Sequence, residues 1–293
     1  MTFPRWISLL LRLRYLILAV VGLIYLPTKF ADSGGDWGIF REGAAILFGQ
    51  STVTPLSLYA DNPVIQIGPV ALAATGPFAL LSAELSRALV STVMILALPG
   101  CLFFAERIAR RLRPLSPWLP ATVLVGGLFI TPMWVQLAVV YAHLDDVLVL
   151  VFLVWAMDQL TLGKPWTLGV ALGLATCSKP WAAPCIALAF ALPWFQARKA
   201  VVTTVLTCAM CWLPFMLADP RTLGALASFR VRVAGGFLVW IAGVHSSQFT
   251  CLGSAGAAIA RLCPGVNCSE DRSMGRRPRP GHRYSDIARY PDI

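Results

Sequence analysis

Residues 1–222 alternate between apolar runs and short breaks that gather most of the charged residues and the Lys-Pro pairs. A bilayer crossing needs about twenty apolar residues in a helix. On that scale the pattern predicts spans at residues 13–31, 87–105, 117–138, 145–161, 166–178, 181–196 and 200–217, the fifth and sixth of them short. Between the first two lies a polar interval, Ala31–Asn62, in which Trp37, Phe40, Ala44, Leu47 and Phe48 recur at helical spacing, as in a helix lying in the interface. The next run, Pro63–Leu81, is long enough to cross but carries Gly68-Pro69 and Gly76-Pro77. If it crossed, Arg107, Arg110, Arg111 and Arg113 would lie outside; if it is a broken juxtamembrane segment, all four are cytoplasmic. The second arrangement satisfies the positive-inside rule. Past residue 222 the pattern decays into a poorly defined apolar segment, 223–262, with at most two weak spans, and a disordered basic tail, 263–293. The fold class expected is all-α, a polytopic transmembrane protein of about 7–9 spans with a helical outer loop between spans one and two.

Composition sharpens this picture. Of 293 residues 57% are hydrophobic and only 13% charged, and the mean hydropathy is +0.71, outside the range of soluble domains. The net charge of +10 sits in clusters at the ends of apolar runs and in the tail, which suits anionic lipid headgroups rather than nucleic acid. Five of the eight cysteines, at 101, 177, 185, 208 and 211, lie in or beside spans and read as small hydrophobes, and Cys208-x-x-Cys211 alone is a weak metal signal. Arg5, Arg12 and Arg14 precede Tyr15–Leu26 with no small-residue cleavage site after it, so the first span is read as uncleaved with a cytoplasmic N-terminus in the cell membrane.

The same topology brings three polar groups to the outer face: the loop holding Asp36, the group His143-Leu144-Asp145-Asp146 between two apolar runs, and Lys179 ahead of Pro180-Trp181. An ionised Asp near a span is unfavourable unless it faces a wet cavity. Carboxylates and a cation at a membrane surface can bind a phosphate and activate a hydroxyl: a sugar on a lipid phosphate already carries a good leaving group, so one base and one phosphate-binding cation suffice. Asp36 is the candidate base, with neighbouring Asp32 as the alternative, although Asp36 is also well placed simply to cap the following helix. Lys179, or Arg87 at the outer mouth of span two, is the candidate phosphate ligand, although Lys179 can equally snorkel to headgroups. Trp37 and Trp181 fit an interfacial aromatic belt, Glu106 and Arg110 a surface i,i+4 pair, and Asp158 and Lys164 an anchor at the cytoplasmic end of span four.

Gly35-Asp36-Trp37, Phe40, Gly43-Ala44-Ala45, Leu47, Gly49 and Leu58-Tyr59, then the proline-containing run, His143-Leu144-Asp145-Asp146, and Gly169, Gly173-Leu174-Ala175, Ser178-Lys179-Pro180-Trp181 together resemble the polyprenol-phosphate-mannose-dependent mannosyltransferases of actinobacteria. These are integral membrane enzymes of the glycosyltransferase C superfamily. The resemblance covers residues 1–222 and rests on the order and spacing of short motifs. It implies that Asp36 is the catalytic carboxylate and that His143, Asp145 and Asp146 line the substrate site, with Lys179, Tyr59 and Arg87 as further substrate-binding residues. It implies transfer of a hexose, in that family mannose, from a polyprenyl-phosphate donor to a glycolipid or polysaccharide acceptor, with no cofactor beyond the lipid-linked donor and metal dependence left open. Superfamily members continue with further spans, so the residues beyond 230 depart from the pattern, as in a truncated or out-of-frame chain. The rival readings are a small-solute transporter, which would show repeated halves and broken helices at the membrane midplane, and an inactive membrane scaffold.

Overall fold

A computed structural model describes residues 4–30, 36–63, 65–114 and 116–227. Asp32, the tail and all of the segment 223–262 beyond residue 227 lie outside these residues. The described chain is helical, without a strand. Helix α1 (Arg5–Arg12) meets α2 (Arg14–Phe30) at a 66° bend. Three short helices follow, α3 (Trp37–Leu47), α4 (Leu58–Asp61, entered through a 3-10 turn at Pro55–Ser57) and α5 (Pro69–Ala79). Then come α6 (Ala83–Leu112), α7 (Leu119–Val135) running into a π-helical turn (Gln136–Val140), α8 (Leu144–Thr161), α9 (Pro165–Ser178), a 3-10 helix (Pro180–Ala191), α10 (Trp194–Ala218) and α11 (Arg221–Ala227).

By length and composition three segments can cross a bilayer, α6, α7 with its π turn, and α10; the bent pair α1–α2 makes a fourth if counted as one span. The other expected spans fall short of that standard. Helix α8 carries Asp145, Asp146 and Asp158 within 18 residues, and α9 has 14 residues, about 21 Å. The predicted span 181–196 is instead a 3-10 helix that stops at Leu192-Pro193, and Arg198 and Lys199, expected at a turn, belong to the first turns of α10. Pro180 and Pro184 supply no amide donors, and at about 2.0 Å per residue the 3-10 course stretches 12 residues over about 24 Å where an α-helix would reach about 18 Å. The run Pro63–Leu81 yields only α5, whose 11 residues extend about 16 Å, half a hydrocarbon core.

Helices α2, α6 and α8 are tied by charge at one end. Buried Glu106 accepts from Arg14 (Nε, 2.6 Å), from Arg110 (Nε, 2.9 Å) and from the Tyr15 hydroxyl. Buried Asp158 accepts a two-pronged bond from Arg107 (3.0 and 2.7 Å), one from Arg111 (2.7 Å) and one from Gln159 (3.1 Å). Glu106 and Arg110 are therefore not the simple surface pair their spacing indicates, because the glutamate turns inward to α2. Buried carboxylates must be paired, and leaving one without any charged partner destabilises by about 3–5 kcal/mol. At the opposite end of α6, the Trp37 indole donates to Ser86 Oγ at 3.0 Å. Trp37 is thus buried against α6 rather than placed in an exposed belt. Ser86 and Arg107 are about 32 Å apart along α6, close to the thickness of a bilayer's apolar core.

Helices α9 and α10 pack through small residues. A Cβ at Gly169 would lie 2.4 Å from the Ala200 carbonyl oxygen, and one at Gly173 would lie 2.5 Å from Thr207 Cβ. The Thr204 hydroxyl donates to the buried Gly169 carbonyl at 3.1 Å, the close-backbone packing that small-xxx-small spacing permits. Replacing Gly173 by Val is expected to destabilise the fold by about 1–3 kcal/mol. Gly100→Ala, where an added Cβ meets nothing within 4 Å, is expected to stabilise it by up to about 1 kcal/mol. Thermal unfolding of both variants in one detergent checks the contrast.

Candidate functional site

The site forms where α7 gives way to α8. The π turn widens the last coil of α7, with the Tyr141 amide donating five residues back to Gln136 O at 3.1 Å. Ala142 follows with φ +53°, fully buried in the left-handed region, which is unfavourable by about 1 kcal/mol for a residue with a Cβ. The His143 amide then reaches Leu137 O at 3.2 Å. These irregular residues turn the chain so that His143, Asp145 and Asp146 converge at the start of α8. Local strain of this kind persists only where surrounding structure holds it, and it clusters at functional sites.

Two other segments are held against this corner by backbone contacts. The Asp36 amide donates to Tyr141 O at 3.2 Å, fixing the start of α3 beside His143. The Gly68 amide donates to Ser178 O at 3.2 Å, and a Cβ at Gly68 would sit 1.9 Å from the Cys177 carbonyl oxygen. Only glycine allows that approach. It clamps the chain leading to α5 onto the C-terminal end of α9, just before the extended residue Lys179.

The side chains then form one network. Asp146 accepts from His143 Nδ1 (2.9 Å) and Lys179 Nζ (2.8 Å) on one oxygen and from the Trp181 indole N–H (3.0 Å) on the other. Lys179 also contacts Asp145 Oδ2 at 3.1 Å, and His143 Nε2 lies 3.0 Å from Asp36 Oδ2. A neutral imidazole has one N–H, yet both ring nitrogens of His143 face carboxylate oxygens, so the doubly protonated ring is the form the geometry favours. Its pKa is accordingly raised above the ordinary value by the hydrogen bond to Asp146 and the charges of both aspartates, against burial and the Lys179 charge. Burial works to lower the Lys179 pKa, but the two aspartates outweigh it and raise the value.

The four principal residues differ in what they have left to offer. Asp146 already accepts three hydrogen bonds and acts as a hub. Asp145 is buried, with a side chain only 5% exposed. Asp36 has a side chain 54% exposed and makes no capping bond to α3, so it is the carboxylate an incoming molecule can reach. Lys179 uses two of its three N–H donors on the aspartates and keeps one for a ligand. With His143 protonated the five titratable groups sum to −1, so a phosphate is met here by individual donors and not by a basic patch.

Two expected substrate-binding residues make packing contacts. Tyr59 is buried, donates its hydroxyl to Ile67 O at 2.9 Å and packs on Trp212 and Phe215 with ring centroids 4.9 and 5.0 Å away. It is a core residue holding α4 to α10. The Arg87 guanidinium stacks 4.4 Å from the Phe30 ring, fastening α6 to the end of α2. Sequence reasoning left Trp181 in a membrane belt and missed its bond to Asp146. The available signal was its position two residues beyond Lys179, at the start of the segment that follows the cation.

His143, Asp145 and Asp146 offer ligand atoms within 4.8 Å of one another, and a histidine with two carboxylates suits a divalent cation. The Lys179 ammonium occupies the space between the two carboxylates, so a metal ion bound there would displace it. Set against family models, curated proteins and solved structures, the chain matches none.

The imidazolium link has a pH signature. The raised folded-state pKa means that His143 contributes fully at pH below the unfolded value of about 6.5 and that the contribution is lost as pH rises through the folded value. The difference in melting temperature between wild type and His143→Gln is therefore expected to shrink on going from acidic to alkaline buffer. A difference that grows with pH excludes the bridged imidazolium.

Proposed function

We propose that the protein is a membrane glycosyltransferase that moves a hexose, in line with its motifs mannose, from a polyprenyl-phosphate donor to an acceptor hydroxyl on a glycolipid or polysaccharide. In this reading the N-terminus and the arginines at 107–113 are cytoplasmic, the chain crosses the membrane several times, and the Asp36 cluster opens to the outer face. The single observation that carries the reading is the exposed Asp36 carboxylate, 3.0 Å from His143 in a network that also holds Lys179.

The chemistry is one displacement. The acceptor oxygen attacks the anomeric carbon, its proton passes to Asp36, and the bond from that carbon to the phosphate oxygen breaks to release polyprenyl phosphate. Charge grows on the departing phosphate, where the remaining N–H of Lys179 can donate. His143 holds Asp36 in place while protonated, and Asp36 is the stronger hydrogen acceptor for the hydroxyl once that link loosens.

The test is sugar transfer from polyprenyl-phosphate-mannose by the full chain in membranes. Asp36→Asn is expected to lower the rate about 100-fold or more, the usual contribution of a general base. Transfer at the wild-type rate in that variant removes Asp36 from the chemistry, and solute uptake without transfer replaces the enzyme reading with a transporter.

A further inference from the structure

The Arg-rich end of the helices carries a second feature that the proposed reaction does not use. A cleft of about 190 Å³ lies between α2 and α6, lined by Arg14, Tyr15, Phe103, Glu106, Arg107 and Arg110. Two of its lining residues are aromatic, with the Tyr15 and Phe103 rings edge to face at 5.8 Å, and the others are three arginines and Glu106. Arg14, Arg107, Arg110 and Arg111 surround only two carboxylates, Glu106 and Asp158, which leaves this cluster at +2. Both carboxylates are buried and already bonded, while the Arg110 and Arg107 side chains stay 55% and 41% exposed. The outward side of the cluster therefore presents guanidinium donors beside apolar rings, a combination complementary to a phosphodiester with acyl chains below it.

Helix α1 independently points to the same surface. Trp6, Leu9, Leu10 and Leu13 fall at i, i+3, i+4 and i+7, and Arg5, Ser8 and Arg12 occupy the other face. None of the residues of α1 is buried, and the 66° bend lays the helix across the end of α2 instead of continuing it. A basic amphipathic helix with a wholly exposed apolar face is suited to lie in the headgroup layer. The Arg14 guanidinium, one wall of the cleft, also donates to Leu11 O and so couples the corner of α1 to the cleft.

We propose that this cleft, with α1 beside it, binds the phosphate headgroup of an anionic phospholipid in the leaflet at the Arg-rich end. The proposal rests on the membrane placement above and not on sugar transfer. To test it, the full chain is reconstituted in vesicles of phosphatidylcholine alone and of phosphatidylcholine with phosphatidylglycerol, and its preference for spin-labelled phosphatidylglycerol is measured. Wild type is expected to prefer the anionic lipid. Arg110→Gln is expected to weaken that preference about fivefold, the share of one arginine near a membrane surface. This variant leaves Glu106 bonded to Arg14 and Tyr15, so the fold is retained. Arg113→Gln, outside the cleft, is expected to change nothing. An unaltered preference in Arg110→Gln, or an equal loss in Arg113→Gln, overturns the site in favour of general surface charge. Inorganic phosphate displacing the lipid as well as phosphatidylglycerol does overturns the lipid assignment in favour of a free anion. Failure to float with phosphatidylcholine vesicles overturns the membrane placement itself, a result separate from the others.

Discussion

The carboxylate of Asp146 joins three parts of the chain that are far apart in sequence. It accepts from His143 on its own helix, from Lys179 beyond α9 and from Trp181 in the 3-10 helix, and through His143 it reaches Asp36 at the head of α3. A half-buried carboxylate among apolar helices is tolerable only if its lone pairs are met by donors, and charged donors meet them best. The arrangement of α3, α8 and α9 around one mouth therefore depends on this one group being satisfied. The same network leaves Asp36 as the reachable acid, because Asp145 and Asp146 are committed to Lys179.

The second constraint works at the other end of the helices. Glu106 and Asp158 are each bonded to two arginines, and between them they lock α2, α6 and α8 in register. The charge excess at the locked end and the deficit at the mouth belong to clusters whose aspartates, Asp158 and Asp145, stand about 20 Å apart along α8.

Irregular backbone supplies what regular helices cannot. The π turn, the left-handed Ala142 and the extended Lys179 all occur within the residues that feed the site, and Gly68 is pressed onto the end of α9. Each departs from the ordinary geometry of its element, and each brings a side chain or backbone group to the mouth that a straight helix would carry past it. Strain concentrated beside a charged cluster, with regular packing elsewhere, is the distribution expected of a molecule whose stability is drawn from its helix contacts.

Residue order alone determined the helical class, the apolar runs of α6, α7 and α10, and the short stay of the Gly-Pro run between α2 and α6, because hydrophobic length and proline position act locally. It also singled out Asp36, His143, Asp145, Asp146 and Lys179, since charge beside a span is conspicuous wherever it occurs. Other features were decided only in three dimensions. Tyr59 proved a core residue because its partners, Trp212 and Phe215, lie some 150 positions away in the chain, and Glu106 turned from Arg110 alone to include Arg14 for the same reason. Trp181 became a hydrogen-bond donor to Asp146, and the span expected at 181–196 became a 3-10 helix, once neighbouring helices set where that segment had to reach. Periodicity reports which face of a helix is apolar, whereas the partner that face or charge finds depends on long-range packing that no local pattern encodes.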